Sequence, residues 1–154
     1  MEQSTLIRAC LVAVDGAAAG VDALVWALRR AADHDTVVDV LTVWPDHRSV
    51  FVREVPGHFC AARWEAAVAQ QDTIRRAADL VSTAPIRSVS LQNADVLDAI
   101  VRASERHDLV VLGSGSPRGP HRLTDRIVDA VPCDVVVVGP HAHHPARPHQ
   151  GASS

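Results

Sequence analysis

The sequence predicts an α/β protein: a single-domain, doubly wound, five-stranded parallel sheet with strand order 3-2-1-4-5. Three observations carry this. Short apolar runs alternate with longer amphipathic stretches from the start of the chain to residue 139, a pattern that demands a parallel sheet with helices on both faces. The runs are close to continuous in Val, Leu and Ile, as strands buried on both faces should be. Right-handed crossovers then leave 3-2-1-4-5 as the favoured order. The chain has 154 residues, the length of one domain with a real core.

Leu6 to Val14 is the first predicted strand, ended by the turn signal Asp15-Gly16. A helix is predicted over 19–33, where Val21, Leu24, Val25, Leu28 and Ala32 share one face. Val37 to Trp44 is the second strand, interrupted by Asp39 and Thr42. Residues 45–60 hold Pro45, Pro56 and Gly57 and read as an irregular connection over the site or an interface. A second helix spans 61–83, with Trp64, Ala67, Val68, Gln71, Ile74, Ala78 and Val81 as its expected inward stripe; Pro85 stops it. In the third strand, Ile86 to Leu91, Ser88 and Ser90 alternate with Val89 and Leu91, which marks a half-wet edge. Asn93 or Asp95 caps a helix over 95–106. Leu109 to Leu112 is the fourth strand, 121–131 the fourth helix and Val135 to Val138 the fifth strand. The domain is expected to occupy 1–139. Residues 140–154, rich in His and Pro and without periodicity, are expected to be a disordered tail whose histidines pick up metal only adventitiously.

Composition narrows the function. Apolar residues make up 47% of the chain, within the globular range, and the formal net charge of −3 gives no basic stripe for nucleic acid. No apolar run approaches the ~18 residues of a membrane span. No signal-peptide pattern opens the chain, so a cytoplasmic location is expected. Cys10, Cys60 and Cys133 are widely spaced and read as small buried hydrophobes, with no metal site. All fifteen cationic residues are arginine. The lack of lysine excludes a P-loop and a Schiff-base lysine, and counts against a phospho-acceptor receiver domain.

The stretch Val110 to Gly119, Val-Val-Leu-Gly-Ser-Gly-Ser-Pro-Arg-Gly, organises the rest. A buried strand feeding a glycine-rich turn places a ligand site at the carboxyl edge of an open sheet. In the predicted order, strands 1 and 4 are neighbours, so Asp15 and Gly113 meet at the switch point. Gly113 and Gly115 suit close backbone approach to a ligand or a simple tight turn, Ser114 and Ser116 supply hydroxyls, and Arg118 and Arg122 suit an anion or a solvated surface. Asp15 has two readings, a ribose partner or a turn carboxylate capping the first helix. His121 lacks an identifiable carboxylate or nucleophile beside it, so no catalytic residue is assigned. Trp26, Trp44 and Trp64 read as packing or interface residues, with Trp44 near enough to the site to stack a base.

Val12-Ala13-Val14-Asp15-Gly16 with its alanine-rich helix, Leu41-Thr42-Val43, Leu109 to Ser114, and Ala130-Val131-Pro132-Cys133-Asp134 running into Val135 to Val138 together resemble the universal stress proteins. The resemblance covers residues 6–139 and implies the Rossmann-like fold of the HUP type. Many members bind ATP through Gly-x-x-Gly, a nine-residue gap, then Gly-Ser or Gly-Thr. Carried over, the resemblance implies cofactor contacts from Gly113, from Asp15 and from the Val43 backbone. This chain departs from the pattern. Ser116 replaces the second glycine, His121-Arg122 replaces Gly-Ser, the loop between is shorter, and Ala17 and Gly20 replace hydroxyls at the start of the first helix. Ser114, Ser116, Arg118 and Arg122 are the available substitutes. Weak or lost ATP binding is the expectation, in a non-catalytic stress-response protein with an unknown protein partner. A nucleotide-dependent switch in the strand 1/strand 4 crevice is the alternative. No His-x-x-His of the related transferases follows the first strand. An uncharged Val135-Val136-Val137-Val138 edge invites pairing, and the family commonly dimerises through this strand, so a homodimer is expected.

Overall fold

The first apolar run becomes β1 (Arg8–Ala13), and Asp15-Gly16 turns the chain into α1 (Ala18–His34). The order continues with β2 (Thr36–Val43), α2 (Ala61–Leu80), β3 (Ile86–Gln92), α3 (Val96–Ser104), β4 (Leu109–Gly113), α4 (His121–Ala130), β5 (Asp134–Val138) and β6 (Pro145–Ala146). This is a computed structural model, and it describes residues 8–44, 61–81, 86–114, 121–139 and 145–146. β1 to β5 are parallel in the order 3-2-1-4-5, as the alternation predicts.

The core has two halves, one on each face of the sheet. Val12, Val38, Val40 and Val111 pack under Leu24 and Leu28 of α1, with Ala77 of α2 in the same cluster. Their sheet neighbours Leu11, Leu41, Val110 and Leu112 point the other way, onto Ile100 of α3 and Ile127 of α4. This alternation is the period-two geometry of strands buried on both faces. Leu24 and Leu28 are fully buried, each contributing roughly 1.5–3 kcal/mol. Cys10 belongs to this core, and burial pushes its thiol up to about 12, which keeps it an unreactive hydrophobe. Trp26 packs against the same cluster with Arg30 over its ring at 5.7 Å, and Trp44 is buried.

Two expectations change. α2 keeps part of the expected stripe inward, with Val81 buried and Ile74 packed against the core, but Gln70, Thr73 and Ala77 are buried beside them while Trp64 and Val68 stand about half exposed. The reason is the edge strand beneath. Gln70 Nε2 donates to Thr42 Oγ1 at 3.0 Å and to the Ser90 carbonyl at 2.6 Å, so polar residues are the ones that fit. The second change concerns the tail. Pro145–Ala146 form a two-residue antiparallel strand on β5, pairing with Val138 and Val137. β5 is therefore covered at that end by the chain's own continuation. Residues 45–60, with Cys60, lie outside the described residues, as does the remainder of 140–154.

Candidate functional site

β1 and β4 are hydrogen-bonded neighbours, and their following helices leave on opposite faces. A crevice opens between their carboxyl ends, as the topology requires. Its volume is about 380 Å³, at the lower end of the ~300–1,000 Å³ usual for ligand pockets. Leu41, Ile100, Leu112, Leu123 and Ile127 give it apolar walls, and Asp15, Ser114 and Thr124 supply polar side chains.

Four of the expected site residues meet here: Asp15, Val43, Gly113 and Ser114. Asp15 is exposed, and its Oδ1 accepts from the Ala17 amide at 3.0 Å. This bond closes a local turn ahead of α1 and engages one carboxylate oxygen; it reaches none of the free amides of the helix's first turn. Ala17 offers no side-chain cap and the first turn of α1 holds no acidic residue. The positive end of that helix dipole thus faces the crevice mouth with Asp15 as its nearby carboxylate. Gly16 has φ +93°, and a side chain there would also press on Ala69 of α2. Gly113 is required for a reason the sequence does not show: a Cβ would collide with the backbone of Ala19 in α1. The close approach that this glycine permits is to a helix. Ser114 is fixed by its amide, which donates to the Val138 carbonyl at 2.8 Å.

The other expected residues are placed less fully. Gly115, Ser116 and Arg118 lie outside the described residues. His121 and Arg122 fall in the first turn of α4, whose next residues, Leu123 and Thr124, line the crevice. Trp44 is buried and does not line the crevice; its amide donates to the Gln92 carbonyl.

A second cavity, about 330 Å³, lies on the same face of the sheet over β2 and β3. Asp39 sits at its floor, in the middle of β2, with only 10% of its side chain exposed. Arg87 donates to both carboxylate oxygens, Nε to Oδ1 at 3.1 Å and Nη2 to Oδ2 at 2.5 Å. Ser88 Oγ donates to Oδ1 at 2.9 Å. A β-bulge explains how neighbours reach one acceptor: Val38 pairs with Ile86 but Asp39 with Ser88, leaving Arg87 as the extra residue. His107, just beyond α3, completes the set. Its Nε2 lies 2.7 Å from Asp39 Oδ2 and its Nδ1 lies 2.7 Å from the Ala103 carbonyl. Both ring nitrogens face acceptors, so both bonds form together only when the ring carries both protons. Burial pushes the Asp39 carboxyl up, but the bonds from Arg87, His107 and Ser88 outweigh burial and hold it at about 2. Sequence reasoning noted Asp39 only as a break in an apolar run. The available signal was its charge: a carboxylate inside a buried strand requires donors.

Among the described residues, no group of His, Cys, Asp and Glu is arranged to hold a metal ion, and no helix is long and apolar enough to cross a membrane.

Comparison with known proteins agrees with this architecture. A universal stress protein crystallised in complex with cAMP superposes with a TM-score of 0.67 at 16% identity, over 85% of this chain and 96% of that one. The universal stress protein UspA from Lactobacillus plantarum gives 0.63 at 24% identity, over 84% and 96%. A universal stress protein family member from Arabidopsis thaliana with AMP bound gives 0.60 at 18% identity, over 88% and 93%. No curated protein sequence matches. The family model for the universal stress proteins matches residues 7–139, which spans all five parallel strands and the crevice between β1 and β4, and the chain belongs to the universal stress protein family.

Proposed function

We propose that the chain is a non-catalytic stress-response binding protein of the cytoplasm whose crevice takes an adenine nucleotide by its nucleoside end and grips a triphosphate weakly or not at all. The observation that carries this reading is the convergence of Asp15, Val43, Gly113 and Ser114 on one apolar-walled cavity at the switch point. The walls suit a base, Asp15 suits a sugar hydroxyl, and the start of α1 suits a single phosphate. Two of the similar structures were crystallised with cAMP and with AMP, each carrying one phosphate. The short loop after Gly113 and the arginine at 122 leave a triphosphate with a poorer cradle than the family's glycine pattern.

Calorimetric titration of the purified protein tests this, with AMP and with ATP plus Mg²⁺, alongside Asp15→Ala. The expected result is weak AMP binding, ATP no tighter than AMP, and loss of both in Asp15→Ala. ATP binding about tenfold tighter than AMP and lost in Asp15→Ala would favour the nucleotide-dependent switch instead. No heat with either ligand would leave a protein-interaction module.

The homodimer belongs to the same proposal. β5 carries no charge from Val135 to Val138, and among the described residues β6 pairs with Val137 and Val138. Val135 and Val136 offer backbone to a second copy. Sedimentation equilibrium should give twice the 16.5 kDa chain mass, and an arginine at 136 should return it to the monomer.

A further inference from the structure

The two cavities share a wall. Leu41 lines both, and α3 borders both: Val96 and Ile100 face the crevice, while Ala103 and the following His107 face the polar cavity. One helix therefore has its first half in the ligand site and its far end tied to Asp39. The tie has two links, Ala103 carbonyl to His107 Nδ1 and His107 Nε2 to Asp39 Oδ2, each 2.7 Å long. The His107 side chain is 5% exposed, so solvent competes poorly for either link. At the crevice end α3 is held by Asp95, whose Oδ2 accepts from the Asp98 amide at 3.1 Å, a local cap that does not bind the helix to the sheet. The described polar anchor of α3 to β2 is thus the one made through His107.

We propose that His107 and Asp39 are positioning residues for the crevice: together they set the distance of α3 from β2, and through Val96 and Ile100 the width of a ligand site that neither residue touches. Arg87 and Ser88 have a different part. They bond the carboxylate from the β3 side, and none of their described hydrogen bonds reaches α3. The inference rests on the ligand reading of the crevice, and its test separates the two.

The full chain is prepared as His107→Ala, His107→Gln, Asp39→Asn and Arg87→Ala. Calorimetry with AMP is paired with hydrogen exchange of the α3 amides. His107→Ala should weaken AMP binding about threefold to tenfold and speed exchange over residues 96–104. Glutamine at 107 keeps a donor for Asp39 and should restore affinity to within about twofold. Arg87→Ala should lower the unfolding midpoint yet leave AMP affinity and α3 exchange within about twofold, which a merely structural role of the cluster would not allow. Should His107→Ala fail to fold, Asp39→Asn carries the same expectation. If wild-type protein gives no heat with AMP, the nucleotide reading falls, and the exchange data alone decide this inference. Unchanged α3 exchange in folded His107→Ala, or equal losses in Arg87→Ala and His107→Ala, overturns it.

Discussion

Two cavities of similar volume lie on one face of the same sheet, and their polar groups are used in opposite ways. Over β2 and β3, Asp39, Arg87, Ser88 and His107 bond one another until the central carboxylate holds donors on both oxygens. At the β1/β4 crevice the walls are apolar, the polar side chains are few, and Asp15 has one oxygen on a backbone amide. The contrast teaches that a cluster of charged residues is not by itself a ligand site. Groups satisfied by each other hold elements together, and the residues left for a ligand are the sparser set at the topological switch point. Among the described residues, no buried side-chain polar atom lacks a partner, so the polar cavity has nothing in its buried set that a ligand is needed to complete.

Removing the shared acceptor should have the largest effect. Asp39→Ala strands His107 and Arg87 together and is expected to destabilise the fold by about 3 kcal/mol in urea unfolding. The pH dependence has a definite sign. The folded-state value of about 2 lies below the ordinary 3.8, so the contribution is present above pH ~4 and is lost as the pH falls toward 2. That contribution is about 2 kcal/mol, and the stability gap between wild type and Asp39→Asn should narrow by this amount over that window. A gap that stayed constant down to pH 2 would mean that the carboxylate is not held by its donors.

Next comes the crevice side, where stability depends on the absence of a side chain. Gly113→Ala drives a methyl into the Ala19 backbone and should destabilise by about 2 kcal/mol, with AMP binding lost as the mouth shifts. If the variant keeps wild-type stability and loses only binding, the glycine serves the ligand and not the helix, which would invert the comparison. The smallest effect is expected on the opposite face of the sheet. Gln70→Ala removes the bridge from α2 to Thr42 and Ser90 and should destabilise by about 1 kcal/mol. Ligand affinity should be unchanged, because Gln70 touches neither cavity.

Much of this was legible in the sequence because the signals were local. Strands such as Val110-Val111-Leu112 are apolar on both faces, and Asp15-Gly16 and Gly113 punctuate their ends, so sheet order and switch point followed from pattern and handedness. Helix faces were legible where the core beneath them is apolar, as at Leu24 and Leu28. Of the α2 stripe, Ile74 and Val81 were legible, but Gln70 was not, because it is chosen by hydrogen-bonding partners on β2 and β3 that periodicity does not report. The same limit hid His107. Its partner Asp39 is 68 positions away, and only the fold brings them to 2.7 Å. Gly113 carries two readings in the sequence, a ligand approach or a tight turn; it lines the crevice, and its close approach to Ala19 is a further constraint that becomes visible only once α1 is in place.

The pairing of β1 with β4 has a kinetic consequence. Its base is a reciprocal clasp: the Asp108 amide donates to the Ala9 carbonyl at 2.8 Å, and the Ala9 amide donates to Asp108 Oδ2 at 3.0 Å, across 99 positions of chain. Closing so large a loop is entropically expensive before any contact rewards it, whereas β1, α1 and β2 join through near neighbours. By this topology the crevice is expected to sit on the pair that closes late. On that expectation, a molecule bound there should slow unfolding more than it hastens folding, which unfolding and refolding rates with and without ligand would check.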